Sequence, residues 1–143
     1  MAITQAVCNT FKSQLLGATH DFDSGSGQVF KLAMYSSAAT LDANTTVYTS
    51  TNEVGNTGQY SAGGGVLTSQ QVSLDGSVAI IDFADLSSTG VTLTARGAVI
   101  YNTSASNAAV CVLDFGSDKT ATSGTFTIQF PAFTSAAAIL RIA

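Results

Sequence analysis

The sequence predicts a mainly β protein: an antiparallel β-sandwich or barrel-like domain with one N-terminal α-helix. Three observations predict it. Apolar and polar residues alternate with period two in Thr125–Phe130, and Phe30, Leu32 and Met34 share one face of a second run; successive side chains leave opposite faces of a strand. Asp75-Gly76 stands between two β-rich runs, a strong two-residue hairpin signal. Only one stretch, near the N-terminus, carries a helical period.

That stretch comes first. Ile3, Val7, Phe11 and Leu15 recur every four residues, and Cys8 and Leu16 widen the stripe, so the spacing predicts a helix over 3–16. Gly17 supplies a C-terminal stop, since glycine accepts the left-handed conformation cheaply. A helix this short is marginal alone, so its stripe must dock on its own sheet or on a neighbouring subunit. After the turn Ser24-Gly25-Ser26-Gly27 the first strand runs from Phe30 to Tyr35. Residues 38–65 are polar, short of regular signals and end in Gly63-Gly64-Gly65. They predict a long loop or arm, which in a small domain is usually functional. Strands follow over 66–74 and 77–83 around the hairpin, then 90–101 and 108–115 around a polar linker, then 125–130 and 138–142. Short strands at this spacing indicate a sandwich or barrel. Pro131 directly follows a strand, where its missing N–H does little harm.

At 143 residues the chain has the length of a single domain. Charged residues make up 10% of it, against about 25% in an ordinary soluble domain; Ser, Thr, Asn, Gln, Gly and Ala take their place. Free monomers keep charge on their surfaces for solubility, so the composition points to surface hidden against other chains; a compact monomer with a hydroxyl-rich surface is the alternative. Five Lys and Arg stand against nine Asp and Glu, leaving no basic stripe to neutralise phosphates and hence no expectation of nucleic-acid binding. No apolar run reaches 18 residues, so no membrane span is expected. The first residues lack a basic segment followed by an apolar one, which argues against a secretory signal. Cys8 and Cys111 lie far apart in apolar contexts and read as buried free thiols. With no CxxC pair and one histidine, zinc is not expected, nor is any other cofactor.

Catalytic patterns are absent. His20-Asp21-Phe22-Asp23 pairs an imidazole with carboxylates, but a turn histidine beside acids is more often structural. No Gly-x-Ser-x-Gly elbow positions a nucleophile. Asp85, Asp114 and Asp118 raise calcium, yet no Asp-x-Asp-x-Asp-Gly run exists, and Asp114 to Asp118 reads as a polar turn. The chain is therefore expected to be non-enzymatic. Arg96 falls inside the apolar run 91–101, where an unpaired buried charge would be costly. Asp82 and Asp114, in neighbouring predicted strands, are its natural partners in a structural ion pair fixing strand register; an exposed Arg96 is the alternative. Tyr48 and Tyr60 bracket the long loop, where they could stack on a sugar, pin the loop to the sheet or anchor it on a neighbour. The candidate subunit-interface residues are Ile3, Val7, Phe11, Leu15, Tyr48 and Tyr60.

Nearly end to end, the chain resembles a group of small virion structural proteins of tailed bacteriophages, often described as head-decoration proteins. The resemblance rests on ordered segments: Phe11-Lys12, His20-Asp21-Phe22, Lys31-Leu32-Ala33-Met34-Tyr35, Ala39-Thr40-Leu41-Asp42, Thr51-Asn52-Glu53-Val54 and Tyr60-Ser61-Ala62-Gly63-Gly64. It continues through Thr94-Ala95-Arg96-Gly97-Ala98, then Val112-Leu113-Asp114-Phe115-Gly116-Ser117-Asp118-Lys119, and closes on Phe126-Thr127-Ile128-Gln129-Phe130-Pro131. Leu86-Ser87-Ser88-Thr89 departs from the group, in which a tryptophan is common there; this chain has none. The resemblance implies a capsid-decorating or cementing protein, without catalytic residues, whose partners are the major capsid protein or other virion proteins and copies of itself. It would reside in the virion, assembled in the host bacterial cytoplasm, where free thiols are expected. The alternative is a tail- or fibre-associated module binding host surface glycans.

Overall fold

The computed structural model describes residues 2–143. Two antiparallel sheets, of five and three strands, and one short helix make up the fold, which is not a closed barrel. The strands are β1 (Ala6–Val7), β2 (Phe30–Tyr35), β3 (Gly65–Val66), β4 (Gln71–Asp75), β5 (Val78–Asp82), β6 (Leu86–Asn102), β7 (Ala108–Ile128) and β8 (Leu140–Ile142). The larger sheet has the order β1-β7-β6-β2-β3 and the smaller β4-β5-β8.

The helix α1 spans Asn9–Leu16, not 3–16. Ile3 instead makes an isolated bridge to Leu41, and Ala6–Val7 pair with Val112 and Cys111. The physical reason is that a spacing of four also fits an extended chain, where residues an even number apart share a face. Gly17 has φ −84° and is not the left-handed stop; Ala18, with φ 60°, is. The Ala18 N–H reaches the Leu15 carbonyl and the Thr19 N–H that of Gln14, the paired bonds of a Schellman motif.

The predicted strand 66–74 breaks at Ser69, whose φ is 55°, giving β3 and β4. Its hairpin loop is Gly76-Ser77, one residue later than expected, because Asp75 pairs with Val78. Only Gly76 of the two loop residues has a positive φ, as in a type II′ turn. The largest difference concerns β6 and β7. These are 17 and 21 residues long and pair almost throughout, so the predicted strands 108–115 and 125–130 belong to one strand, which ends at Ile128, two residues short of the expected end. The Asp114–Asp118 segment is a bulge, since the register jumps from Gly97↔Asp114 to Ala95↔Lys119.

The core lies where the sheets and α1 meet. Leu32, Ile100 and Val112 of the larger sheet and Ile81 and Leu140 of the smaller join one buried cluster. Phe22 stacks on Phe30 with ring centroids 4.4 Å apart, Phe30 meets Phe83 at 5.8 Å, and Phe83 meets Phe130 at 5.8 Å. Two glycines permit close approaches: a Cβ on Gly97 would stand 2.4 Å from the Leu113 carbonyl and 2.9 Å from Ile3, and one on Gly64 2.0 Å from the Leu32 carbonyl.

Candidate interaction surface

Three of the proposed interface residues belong to the chain's own interior. Ile3 packs over Gly97, Phe11 sits against the His20 and Phe22 rings, and Tyr60 lies beneath the loop; all three are buried. The marginal helix docks in cis, and Phe11 of its stripe is buried in doing so. Val7 and Leu15 keep partial exposure, as does Tyr48.

What α1 leaves open is a cleft. Between α1 and the three-stranded sheet lies an apolar depression of about 580 Å³, lined by Val7, Leu15, Leu16, Val72, Ile81 and Ile142, with Phe11, Phe22 and His20 among its deeper walls. Pairing explains the sheet side: Val72 lies opposite Ile81 and Ile81 opposite Leu140, while Leu74 lies opposite Ala79 and Ala79 opposite Ile142. Paired residues share a face, so the face toward α1 is apolar in two full rows. It is also wet: Leu16 is 91% exposed, Leu74 70%, Ile142 55% and Val72 51%. Lys12, Asp21 and Arg141 supply charge at the margin.

The long loop behaves oppositely. It closes on the chain's only glutamate. The Tyr48 and Tyr60 hydroxyls donate to the Glu53 carboxylate, the latter at 3.0 Å, and the Gly63 N–H donates at 2.6 Å. The Tyr60 oxygen in turn accepts the Met34 N–H of β2 at 2.8 Å. Tyr35 donates to the Thr49 carbonyl at 2.6 Å, and Tyr101 to that of Gly63. Tyr48 stacks on Tyr101 with centroids 4.7 Å apart. All four tyrosines thus hold one loop to the larger sheet. Burial, with the carboxylate nearby, pushes the phenols of Tyr35, Tyr48 and Tyr60 well above their ordinary range. Sequence reasoning missed Glu53; its signal was a lone glutamate between two tyrosines in a chain poor in charge.

Arg96 donates from Nε to Asp114 Oδ1 at 3.0 Å. Its guanidinium, followed by the Gly116 N–H, holds the Asp114 carboxyl below the usual carboxylate range. The pair sits at the β7 bulge and is half-buried. Asp82 is not a partner: it lies on β5, in the other sheet, and its Oδ1 is buried without a hydrogen bond.

His20 is buried and built into a polar network. Asn102 donates through Nδ2 toward His20 Nδ1 at 3.1 Å, and the Nε2 faces Gln14 Oε1 at 2.9 Å. This places the proton on Nε2 of a neutral ring, and burial lowers its pKa. The assignment follows because Asn102 Oδ1 is taken by the Ser104 N–H, leaving the amide nitrogen toward the ring. Asp85 accepts the Phe130 N–H at 2.8 Å, capping the end of β7. No three His, Cys, Asp or Glu side chains converge in a metal-holding group among the described residues. Cys8 and Cys111 are free and buried; burial raises their thiols to about 11 and about 12. No helix of the described residues is long and apolar enough to cross a membrane.

No family model, curated protein or solved structure matches the chain.

Proposed function

We propose that this chain is a structural protein of a tailed-bacteriophage virion that decorates or cements the capsid exterior. One observation carries the reading: an open apolar cleft on a chain in which charged residues are only 10%. Exposed side chains such as Leu16, Val72, Leu74 and Ile142 favour association over solvent; full burial of a wholly exposed side chain of this kind contributes about 1.5–3 kcal/mol, and these contribute in proportion to their exposure. The end-to-end resemblance to head-decoration proteins supplies the partner class, the major capsid protein or its virion neighbours. In this role the chain binds across joins between capsid subunits, adds buried area and stiffens the shell against internal pressure. The acidic balance suits an outer face better than one touching packaged DNA, since like charges repel. The role is non-enzymatic, located in the virion and assembled in the host bacterial cytoplasm.

The glycan-binding alternative rested on Tyr48, Tyr60 and the Asn-, Ser- and Thr-rich loops. Tyr60 is buried and Tyr48 is stacked on Tyr101, so no observation favours that reading over the first.

The test is location and loss. Cryo-electron microscopy of intact virions is expected to place the protein at regular lattice positions on the outer shell. Virions lacking it, or carrying Leu16→Asp, are expected to release DNA at lower temperature. Density confined to the tail, or unchanged virion stability, overturns the reading.

A further inference from the structure

Sheet edges are hazards that folded chains blunt by keeping them short or by placing Lys, Pro or a bulge on them. Three of the four edges here follow that rule: β1 and β3 have two residues each and β8 has three. The fourth does not. β4 has five residues, all exposed, and pairs with β5 in an unbroken register. Its sequence, Gln71-Val72-Ser73-Leu74-Asp75, contains neither Lys nor Pro.

The hairpin fixes which backbone groups this edge offers. Asp75 and Val78 flank a two-residue loop and so form a hydrogen-bonded pair. Alternation then turns the N–H and C=O of Gln71, Ser73 and Asp75 toward β5, and those of Val72 and Leu74 outward. Apart from a long 3.4 Å contact from the Ser73 hydroxyl to the Leu74 carbonyl, nothing among the described residues partners those outward groups.

We propose that β4 is a dimerisation edge. Two copies of the chain join antiparallel through Gln71–Asp75, with Ser73 on the two-fold axis, and merge their three-stranded sheets into one. In that register Val72 faces the partner's Leu74 on both sides of the axis, and each such pair exchanges both of its outward hydrogen bonds. Ser73 meets Ser73 in the intervening non-hydrogen-bonded position. Gln71 meets Asp75, so the only charge on the strand stands opposite an amide donor and not opposite itself. Asp75 already accepts the Ser135 N–H through Oδ2, leaving its other oxygen for that amide. A slip by one residue would oppose outward groups with inward ones. A slip by two would bring the Gly76 turn or Gln70 into the ladder and lose a bonded pair. The apolar rows then run on across the axis, and Val72 and Leu74 cover each other's flanks. The arrangement is isologous and closed, as expected for a soluble homodimer.

The proposal deepens the self-association part of the virion reading, and its experiment needs no virion. Sedimentation equilibrium of the purified chain is expected to give twice the 14.5 kDa chain mass. Leu74→Lys is expected to weaken association by about tenfold or more with an unchanged circular dichroism spectrum. Ser73→Cys is expected to oxidise in air to a covalent dimer, since a non-hydrogen-bonded pair holds its Cα atoms about 4.5 Å apart, within disulfide reach. Ser117→Cys, exposed on the distant bulge, is expected not to. This second variant keeps the test intact should Leu74→Lys fail to fold. A monomeric wild type, or equal cross-linking of the two cysteine variants, overturns the proposal. If a monomeric chain also loses shell binding on Leu74→Lys, the edge takes its strand from the shell protein, and the second-copy assignment falls while the virion reading stands.

Discussion

The two regions that the sequence nominates as contact surfaces, the long 38–65 loop and the N-terminal stripe, end in opposite states. The loop is irregular, yet its hydroxyls, amides and one carboxylate satisfy one another and bind it to β2. The stripe spends its buried half on the core but leaves an apolar cleft beside it. The difference teaches where to look for a partner. A segment without regular structure is not free if it carries its own acceptor, whereas regular elements can present faces that nothing in the chain covers.

Breaking the closed region should have the largest effect. Glu53→Ala leaves two phenols and the Gly63 N–H without their acceptor, and hydrogen bonds to a charged group are worth about 1.5–3 kcal/mol each. A loss of about 3 kcal/mol or more in chemical denaturation is expected, with proteolytic cutting appearing in 38–64. Glu53→Gln should recover part of it by retaining one acceptor oxygen. Equal protease resistance of Glu53→Ala and wild type would mean the loop is held by its backbone bonds alone.

The next effect sharpens the boundary between the regions, because His20 lies between α1 and Asn102 on the cleft wall. Its folded pKa is lowered from 6.5, so in acid the unfolded chain binds a proton that the folded chain resists. The stabilisation is therefore full above pH 6.5 and lost as pH falls through the lower folded value. A protonated ring would also point an Nδ1–H at the Asn102 amide. The melting temperature is expected to drop below pH 6.5, and His20→Gln to flatten that drop, after subtraction of the carboxylate contribution in which Asp114 shares.

Smaller still is Ala18→Gly. Ala18 holds the left-handed position that closes α1, at a cost of roughly 1 kcal/mol for a residue with a Cβ; glycine should stabilise the fold by up to about that amount in thermal melts. The smallest change belongs to the open region. Leu16→Ser removes a side chain that is 91% exposed and should leave stability within about 0.5 kcal/mol, while weakening the proposed binding to shells. A large loss of stability from Leu16→Ser would show that the cleft is part of the core.

Much of the fold was legible where a single physical pattern acted alone. Thr125–Ile128 alternates because one face is covered and the other wet, and Asp75-Gly76 marks its hairpin to within one residue. Legibility failed where two patterns coincide. Ile3 and Val7, four apart, fit helix and strand alike. Asp114 to Asp118 has turn composition because it bulges, yet its flanks continue one strand. β2 is buried on both faces, so alternation there said nothing about orientation. The Arg96–Asp114 contact was visible as a charge in need of a partner, whereas Asp82 could not be dismissed without knowing that β5 lies in another sheet. The Glu53 clasp joins residues only five to ten apart, Tyr48, Tyr60 and Gly63, but inside an irregular loop whose side-chain geometry no periodicity encodes.

The clasp also decides how this protein can be watched. The chain has four tyrosines and no tryptophan, and every tyrosine lies in the clasp or against it. Its tyrosine fluorescence and the tyrosine bands of its near-ultraviolet dichroism therefore report one neighbourhood, and two of its phenols donate to a carboxylate, an arrangement that quenches emission. Opening of the loop would brighten that tyrosine signal, whereas filling the cleft, which no tyrosine lines, would leave it unchanged.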